Sequence, residues 1–226
     1  MTHRAARTLK LEPDAPLGPA EFDPAPPEVE QDALWDCVAA NDSVIVPSHV
    51  ADWKIQESQI VGVDLAARGF TGFRCRDTHF VHCDLSGASF DGATLDRVVF
   101  SECRLTGTVF SGTQLGDVRI DDCRADLLNL RMAHARNVLM ESSVLRAADL
   151  TSCQFVNSAF LRCDLREAIL DNSDLAGTRL HGSELDGVRS PLALRSCLIS
   201  GEQQVTVGAL LLAALDIAVT DDMSGR

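Results

Sequence analysis

Apolar residues recur at every fifth position over most of this chain. From Ile60 to Leu185, 26 consecutive fifth positions carry a residue with neither charge nor side-chain oxygen, and no insertion breaks the register. A second position, two residues before each of these centres, is mostly small, and Gly often stands two residues after a centre, as Gly87 and Gly92 do. A period of five fits neither the 3.6-residue helix nor the two-residue strand. The pattern therefore predicts short extended segments with a turn in every repeat.

The repeats resemble a known family. The stretches CDLSGASFDGATL (83–95) and CDLREAILDNSDLAGTRLHGSEL (163–185) resemble the pentapeptide-repeat family, whose pattern is written A(D/N)LXX. The resemblance covers about residues 58–189 and implies an all-β fold, a right-handed quadrilateral parallel β-helix with four repeats per coil. The centre and the preceding small residue would point inward. Twenty-six repeats then give about 6.5 coils, which at about 4.8 Å per coil form a rod roughly 31 Å long.

The ends of the chain differ from the repeats. Residues 1–50 are rich in proline and acids and predict a partly disordered arm, with a short helix at 32–40. Residues 51–190 are the predicted β-helix, and Trp35 and Trp53 are expected to cover its first coil. Residues 191–226 are the predicted C-terminal cap, with a helix at about 201–215 that starts at a capping box formed by Ser200 and Gln203.

The predicted C-terminal helix is apolar on most of its sides. A helix that only covers the last coil needs one apolar face, so the remaining apolar residues are in excess. Some family members dimerise through a C-terminal helix, so the resemblance and this excess together predict a homodimer, with a helix that only caps the rod as the alternative. The candidate dimer interface is Val207, Leu210, Leu211, Leu212 and Leu215.

Cysteines and histidines raise the question of a metal site. Cys83, Cys103, Cys123 and Cys163 are spaced by multiples of 20 residues and predict an internal column of packed free thiols rather than disulfides. Cys75 and Cys83 would point inward while His79 and His82 point outward, so they cannot converge on one ion. We predict no metal and no cofactor. The chain also lacks the common catalytic motifs, and a convex rod offers no cleft, so we expect no enzyme activity.

Charge limits the range of partners. The net charge is -13 and the pI about 4.7, which disfavours direct binding to nucleic acid or to anionic membranes. We see no secretory signal, and the longest apolar stretch, 205–215, is too short to span a bilayer. The expected location is the cytoplasm. Residues 58–189 hold 18 acids and 14 arginines, so the repeats themselves carry a net charge of only -4.

The family resemblance also implies a function. Its best understood members mimic duplex DNA, bind DNA gyrase or topoisomerase IV, and protect the enzyme from quinolones or a self-made toxin. The absence of a loop inside the repeats is closer to the mycobacterial members than to the plasmid-borne ones. An interaction scaffold for another partner is the alternative. The candidate partner-binding face is the most acidic one, with Asp64, Asp84, Asp126, Asp164, Glu167, Glu184 and Asp186.

Overall fold

The protein is a stack of parallel coils closed by one helix. The computed structural model describes residues 22–220. The strands are β1 (Asp23–Pro24), β2 (Leu34–Asp36), β3 (Val38–Ala40), β4 (His49–Ala51), β5 (Lys54–Gln56), β6 (Gln59–Val61), β7 (Gly69–Thr71), β8 (Arg74–Val81), β9 (Thr94–Ser101), β10 (Gln114–Gly116), β11 (Arg119–Asp121), β12 (His134–Arg136), β13 (Leu139–Glu141), β14 (Gln154–Val156) and β15 (Ala159–Leu161). Two 3₁₀ turns, Pro191–Leu194 and Gly201–Gln203, precede helix α1 (Gln204–Ala214).

Backbone pairing within the repeats is parallel and joins residues 20 apart. Gln114 pairs with His134, and Arg119 pairs with Leu139. Four repeats therefore make one coil, and the rod has four faces. We call them faces A, B, C and D, centred on Cys75, Phe80, Leu85 and Phe90 and on the residues 20 apart from each. The predicted parallel β-helix is confirmed.

The interior is built from the repeat centres. All 26 centres from Ile60 to Leu185 are buried. Phenylalanines stack from coil to coil, with ring centroids 4.5 Å apart for Phe70 and Phe90 and 5.0 Å apart for Phe80 and Phe100. Burying a side chain of this size contributes about 1.5–3 kcal/mol. A regular column of such residues therefore stabilises the rod along its whole length.

The coils begin earlier than predicted. β2 pairs with β5 and β3 pairs with β6. Residues 34–40 therefore form strands rather than the predicted helix, and this part of the predicted arm of residues 1–50 belongs to the β-helix. Trp35 and Trp53 are both buried, in edge-to-face contact at 4.9 Å, and lie inside this first part of the stack. The apolar fifth positions extend back through Ile55, Val50, Ile45 and Ala40 to Trp35. The structure departs from this register at one place, where Ile45 is exposed and Val46 is buried instead. Residues 1–21 of the predicted arm lie outside the described residues.

The C-terminal end follows the predicted arrangement in its main element. The capping box at Ser200 and Gln203 is present, and α1 covers residues 204–214 of the predicted 201–215. Val207 is buried against the coils, and Leu210 and Leu211 pack at its side. Within residues 22–220, no helix has both the length and the apolar character to cross a bilayer.

Candidate acidic partner-binding face

The seven acids of the candidate site share face C because of the 20-residue pairing. Asp64, Asp84, Asp164 and Glu184 lie in one column, whose rungs pair from 64 to 84 and on to 184. This column precedes the buried centres of the face, and the backbone pairing holds its rungs about 4.8 Å apart. Asp126 and Asp186 lie just after a centre, and Glu167 lies at the following corner.

Arginines neutralise much of this face at its C-terminal end. Arg166 bridges two rungs, with its guanidinium 2.6 Å from Asp164 and 3.1 Å from Glu184. The hydrogen bond from Arg166 holds the pKa of Asp164 below its usual value. Arg146 contacts Glu167 at 2.5 Å and lowers the pKa of that carboxyl in the same way. These carboxylates are thus ionised and already partnered within the protein.

Two more of the seven acids are paired. Arg124 lies 3.3 Å from Asp126, and Arg68 lies 3.1 Å from Asp64. Asp84 and Asp186 form no ion pair with any residue between 22 and 220. The carboxylate of Asp84 accepts a hydrogen bond from the backbone N–H of Ser86 at 2.9 Å. Asp186 is therefore the exposed acid of this face most available to a partner.

The sign of the charge changes along face C. The first two rungs carry Asp64 and Asp84, and the middle rungs carry three arginines against Asp126. The last rungs carry four acids against Arg166, a net of three negative charges. Face C is therefore two acidic patches separated by a basic belt, rather than one uniform row of acids.

The cysteine column lies inside the rod. Cys83, Cys103 and Cys123 are buried free thiols, and the backbone N–H of Cys103 contacts the Cys123 Sγ at 3.3 Å. Burial raises the pKa of Cys163, in the same column, to about 11 and that of Cys75, on face A, to about 12, so these two thiols stay protonated. Within the column, the hydrogen bond with Cys103 lowers the pKa of Cys83 and of Cys123. Protonated, enclosed thiols are poor nucleophiles and poor metal ligands.

The histidines considered beside those cysteines point elsewhere. His79 is half-buried and its Nε2 lies 2.9 Å from the Ser101 hydroxyl, while the exposed His82 lies 3.6 Å from Glu102. They do not join Cys75 or Cys83, which are buried.

One other group places potential metal ligands together. Atoms of Asp36, Cys37 and Glu57 lie within 4.8 Å of one another at a corner of the first coils. The Cys37 thiol donates to both carboxylates, at 3.7 Å and 3.9 Å. Desolvation and these carboxylates raise the pKa of the thiol. A protonated thiol shared between two carboxylates accounts for the group without an ion.

Comparison with known families fits the geometry. A model of pentapeptide repeat regions matches residues 73–131, and a model of eight pentapeptide repeats matches residues 160–189. The matched stretches include the alternating apolar and small inward positions described above. The chain is a pentapeptide-repeat protein. A search of curated protein sequences finds no match for it.

Several solved structures are similar to this pentapeptide-repeat protein. Full-length QnrB1, a plasmid-mediated fluoroquinolone resistance protein, is 18% identical over 84% of this chain and 100% of its own, with a TM-score of 0.40. HetL, a pentapeptide repeat protein involved in heterocyst differentiation regulation from the cyanobacterium Nostoc sp., is 16% identical over 66% of this chain and 86% of its own, with a TM-score of 0.21. Likenesses of this size say nothing about function, and the fold rests on the observed pairing.

The sequence register also places arginines on this face and favours lateral ion pairs with its acids, namely from Arg104, Arg124, Arg146 and Arg166. It did not identify the individual pairs, although a signal for them exists. Arg166 stands two residues after Asp164 and 18 residues before Glu184. In a structure with 20 residues per coil, that spacing puts one arginine between two acids on neighbouring rungs. The bridge from Arg166 to Asp164 and Glu184 can therefore be predicted when charges are compared between residues about 20 apart as well as between sequence neighbours.

Proposed function

We propose that this protein is a non-enzymatic DNA mimic that binds a type II topoisomerase, DNA gyrase or topoisomerase IV, and modulates or protects it against inhibitors such as quinolones or a self-made toxin. The proposal rests on where the negative charge lies. Face C carries seven acids and four arginines, whereas the other three faces together carry 11 acids and 10 arginines over residues 58–189. Three of the four net negative charges of the repeats are thus on one side of the rod.

Such a face suits a basic, DNA-binding surface for physical reasons. Carboxylates carried on a paired backbone are already fixed in position, so binding costs little ordering of the chain. A one-sided charge distribution also steers the rod toward a basic partner in one orientation. The last rungs, with three net negative charges, are the part expected to make the strongest contacts.

The basic belt on face C favours a second candidate function. Arg104, Arg124 and Arg146 interrupt the row of acids where duplex DNA would carry unbroken negative charge. A rod with alternating patches also suits an interaction scaffold whose partner has its own alternating charges. The two functions differ in whether a topoisomerase recognises the protein at all.

Asp186 provides the test of the topoisomerase proposal. We expect the purified protein to inhibit supercoiling by gyrase at micromolar concentration, or to relieve inhibition by a quinolone. Asp186→Lys places a cation on the acidic end of face C and should weaken this effect by roughly threefold or more, because rim charges govern steering and contact. The readout is the protein concentration that gives half of the effect.

Asp91→Lys is the matched control. Asp91 is exposed, has no ion pair among the described residues, and stands at the same position of its repeat as Asp186, but on face D. Both substitutions change the net charge by the same amount, so equal losses would contradict recognition through face C. No effect of the wild-type protein on gyrase would contradict the topoisomerase proposal. Recovery from a cell lysate of a different partner, released by Asp186→Lys, would support the scaffold.

We also propose that α1 joins two copies of the chain. Val207, Leu210 and Leu211 face the coils, so this part of the predicted interface serves the cap. The opposite side of the helix carries Val205, which is 83% exposed, together with Leu212 and Leu215. Val205 and Leu215 are exposed and Leu212 is half-buried. Exposed large apolar residues grouped on one side of a helix are typical of a surface that a second helix covers.

A further inference from the structure

A groove of about 550 Å³ runs along face A, on the side of the rod opposite face C. Its floor is formed by strands β5, β8, β9 and β10. Its walls are the two outward columns of these strands, which precede and follow each buried centre. The groove extends from Leu34 to Arg136, five rungs apart, and is therefore about 24 Å long.

One wall of the groove holds two cations without a carboxylate partner. Lys54 and Arg74 are exposed and occupy adjacent rungs of one column. Ten of the 16 lysines and arginines within residues 22–220 form ion pairs, and these two do not. Among the six described cations without such a pair, Lys54 and Arg74 are the ones that stack directly on each other. Like charges on adjacent rungs repel, so the fold gains nothing from this arrangement.

The rest of the groove has a defined order of charge. Arg76 shares a rung with Arg74, and Arg136 stands three rungs further, about 14 Å away. Between them lie Asp96 and Gly116, and Arg136 reaches back over Gly116. Asp96 is held by Arg97 at 2.6 Å. Arg76 is paired with Asp77 at 3.0 Å, and Arg136 is paired with Asp117 at 3.5 Å. The groove thus has its unpartnered positive charge at the end with Lys54 and Arg74, is weakly acidic in the middle, and holds a paired arginine at the other end.

We infer that the face A groove binds an extended peptide segment with carboxylates at its two ends and neutral residues between them. Acidic side chains at one end would pair with Lys54 and Arg74, and one at the other end would share Arg136 with Asp117. An extended chain advances about 3.4 Å per residue, so about seven residues fill the groove and four to five separate the two acidic ends. The inference does not depend on the topoisomerase proposal.

The order of charges favours a peptide over nucleic acid. A nucleic-acid strand carries a negative charge on every nucleotide and would place phosphates beside Asp96. A peptide can leave the middle neutral and still carry acids at both ends. The protein's net charge of -13 also repels a long polyanion more than a short peptide with a few acids.

A pair of labelled peptides of equal composition tests the inference. The first is fluorescein-Glu-Glu-Ser-Ser-Ser-Ser-Glu, and the second, fluorescein-Ser-Ser-Glu-Glu-Glu-Ser-Ser, has its acids in the middle. Fluorescence polarisation at about 0.02 M ionic strength keeps screening weak. We expect the first peptide to bind several-fold more tightly than the second. Equal binding of the two would overturn the inference.

Two variants locate the site. Arg74→Glu should weaken binding of the first peptide by roughly fivefold or more, since it removes one ion pair and adds a repulsion. Arg104→Glu should change it by less than about twofold. Arg104 is also exposed, unpaired among the described residues and at the same repeat position, but on face C. Loss of binding in both variants, or tighter binding of a labelled single-stranded oligonucleotide than of the peptide, would overturn the inference.

Discussion

Most corners of the rod have left-handed backbone geometry at the second residue after a centre. Gly fills nine of these corners, with φ from 63° to 78°. At Leu85–Ala88 the corner is closed by a hydrogen bond from the Ala88 N–H to the Leu85 carbonyl, with Gly87 at φ 65°. This is the geometry of a type II turn, which needs positive φ at its third residue. Where a bulky residue stands at such a corner, the backbone is strained.

Leu127 is a bulky residue at one of these corners and gives a prediction at this scale. It has φ 58° and is 60% exposed, so its side chain adds little packing. The left-handed backbone costs an L-residue roughly 1–2 kcal/mol, and the greater unfolded-state freedom of Gly offsets about half of that. Leu127→Gly should therefore stabilise the protein by about 0.5 kcal/mol. The measurement is the midpoint of thermal unfolding by circular dichroism.

Val156→Gly is the control for the corner effect. Val156 is also 60% exposed, but it lies within strand β14. There Gly has no strain to relieve and should destabilise the protein by about 0.5–1 kcal/mol. A lower unfolding midpoint for Leu127→Gly than for the wild type would contradict the account of the corners.

At the scale of elements, two long polar side chains satisfy backbone carbonyls where the regular repeat is broken. Beside the irregular step at Ile45 and Val46, Arg68 takes an inward position that is small in most other repeats, and its Nε donates to the Val46 carbonyl at 2.7 Å. At the C-terminal end, the Gln203 amide donates to the carbonyls of Leu180 and Ser183, at 2.7 Å and 2.6 Å. Both side chains satisfy backbone acceptors, and Gln203 replaces the donors that a further coil would have supplied.

Gln203 should be essential to the stability of the cap. Gln203→Ala leaves the Leu180 and Ser183 carbonyls without a partner in a buried place, at a cost of about 1–3 kcal/mol for each. We expect the unfolding midpoint to fall by roughly 5–10 °C. Gln204→Ala is the control, because Gln204 is the exposed neighbour at the start of α1. A fall of less than about 2 °C for Gln203→Ala, or equal falls for both, would contradict this role.

The breaks in the repeat also show what the sequence can and cannot predict. Inside the repeats, one register predicted every buried centre, because each coil repeats the environment of the last. Arg68 and Gln203 each satisfy a local break in the repeat, one inside the stack and one at its C-terminal end, so their carbonyl contacts have no periodic signal in the sequence. The coils formed by residues 34–40 did carry the signal, at the buried fifth positions Trp35 and Ala40, whereas the burial of Val46 in place of Ile45 has no such signal. Face C was predictable as a set of positions, but its ion pairs depend on side-chain reach across rungs.

At the scale of the whole molecule, opposite faces of the rod present opposite chemistry. Face C gathers most of the net negative charge of the repeats, and face A holds the stacked cations Lys54 and Arg74. Faces A and C lie on opposite sides of a rod that is held by continuous parallel pairing, so a single flat partner surface cannot contact both faces at once. The rod is thus suited to contact two different surfaces, one on each side.

The exposed apolar side of α1 leads to a prediction about the oligomeric state, monomer or dimer. Leu212 and Leu215 lie on the side of the helix away from Val207, and Leu215 is 55% exposed. Gly208 lies between them and Val205, and a Cβ there would meet nothing within 4 Å, which leaves room for close approach of another helix.

We expect a dimer by light scattering and a monomer for Leu212→Asp with Leu215→Asp. The control Val156→Asp, at a similarly exposed apolar residue on the coils, should remain dimeric. A monomeric wild type at tens of micromolar would contradict the dimer, and the apolar face would then need another partner.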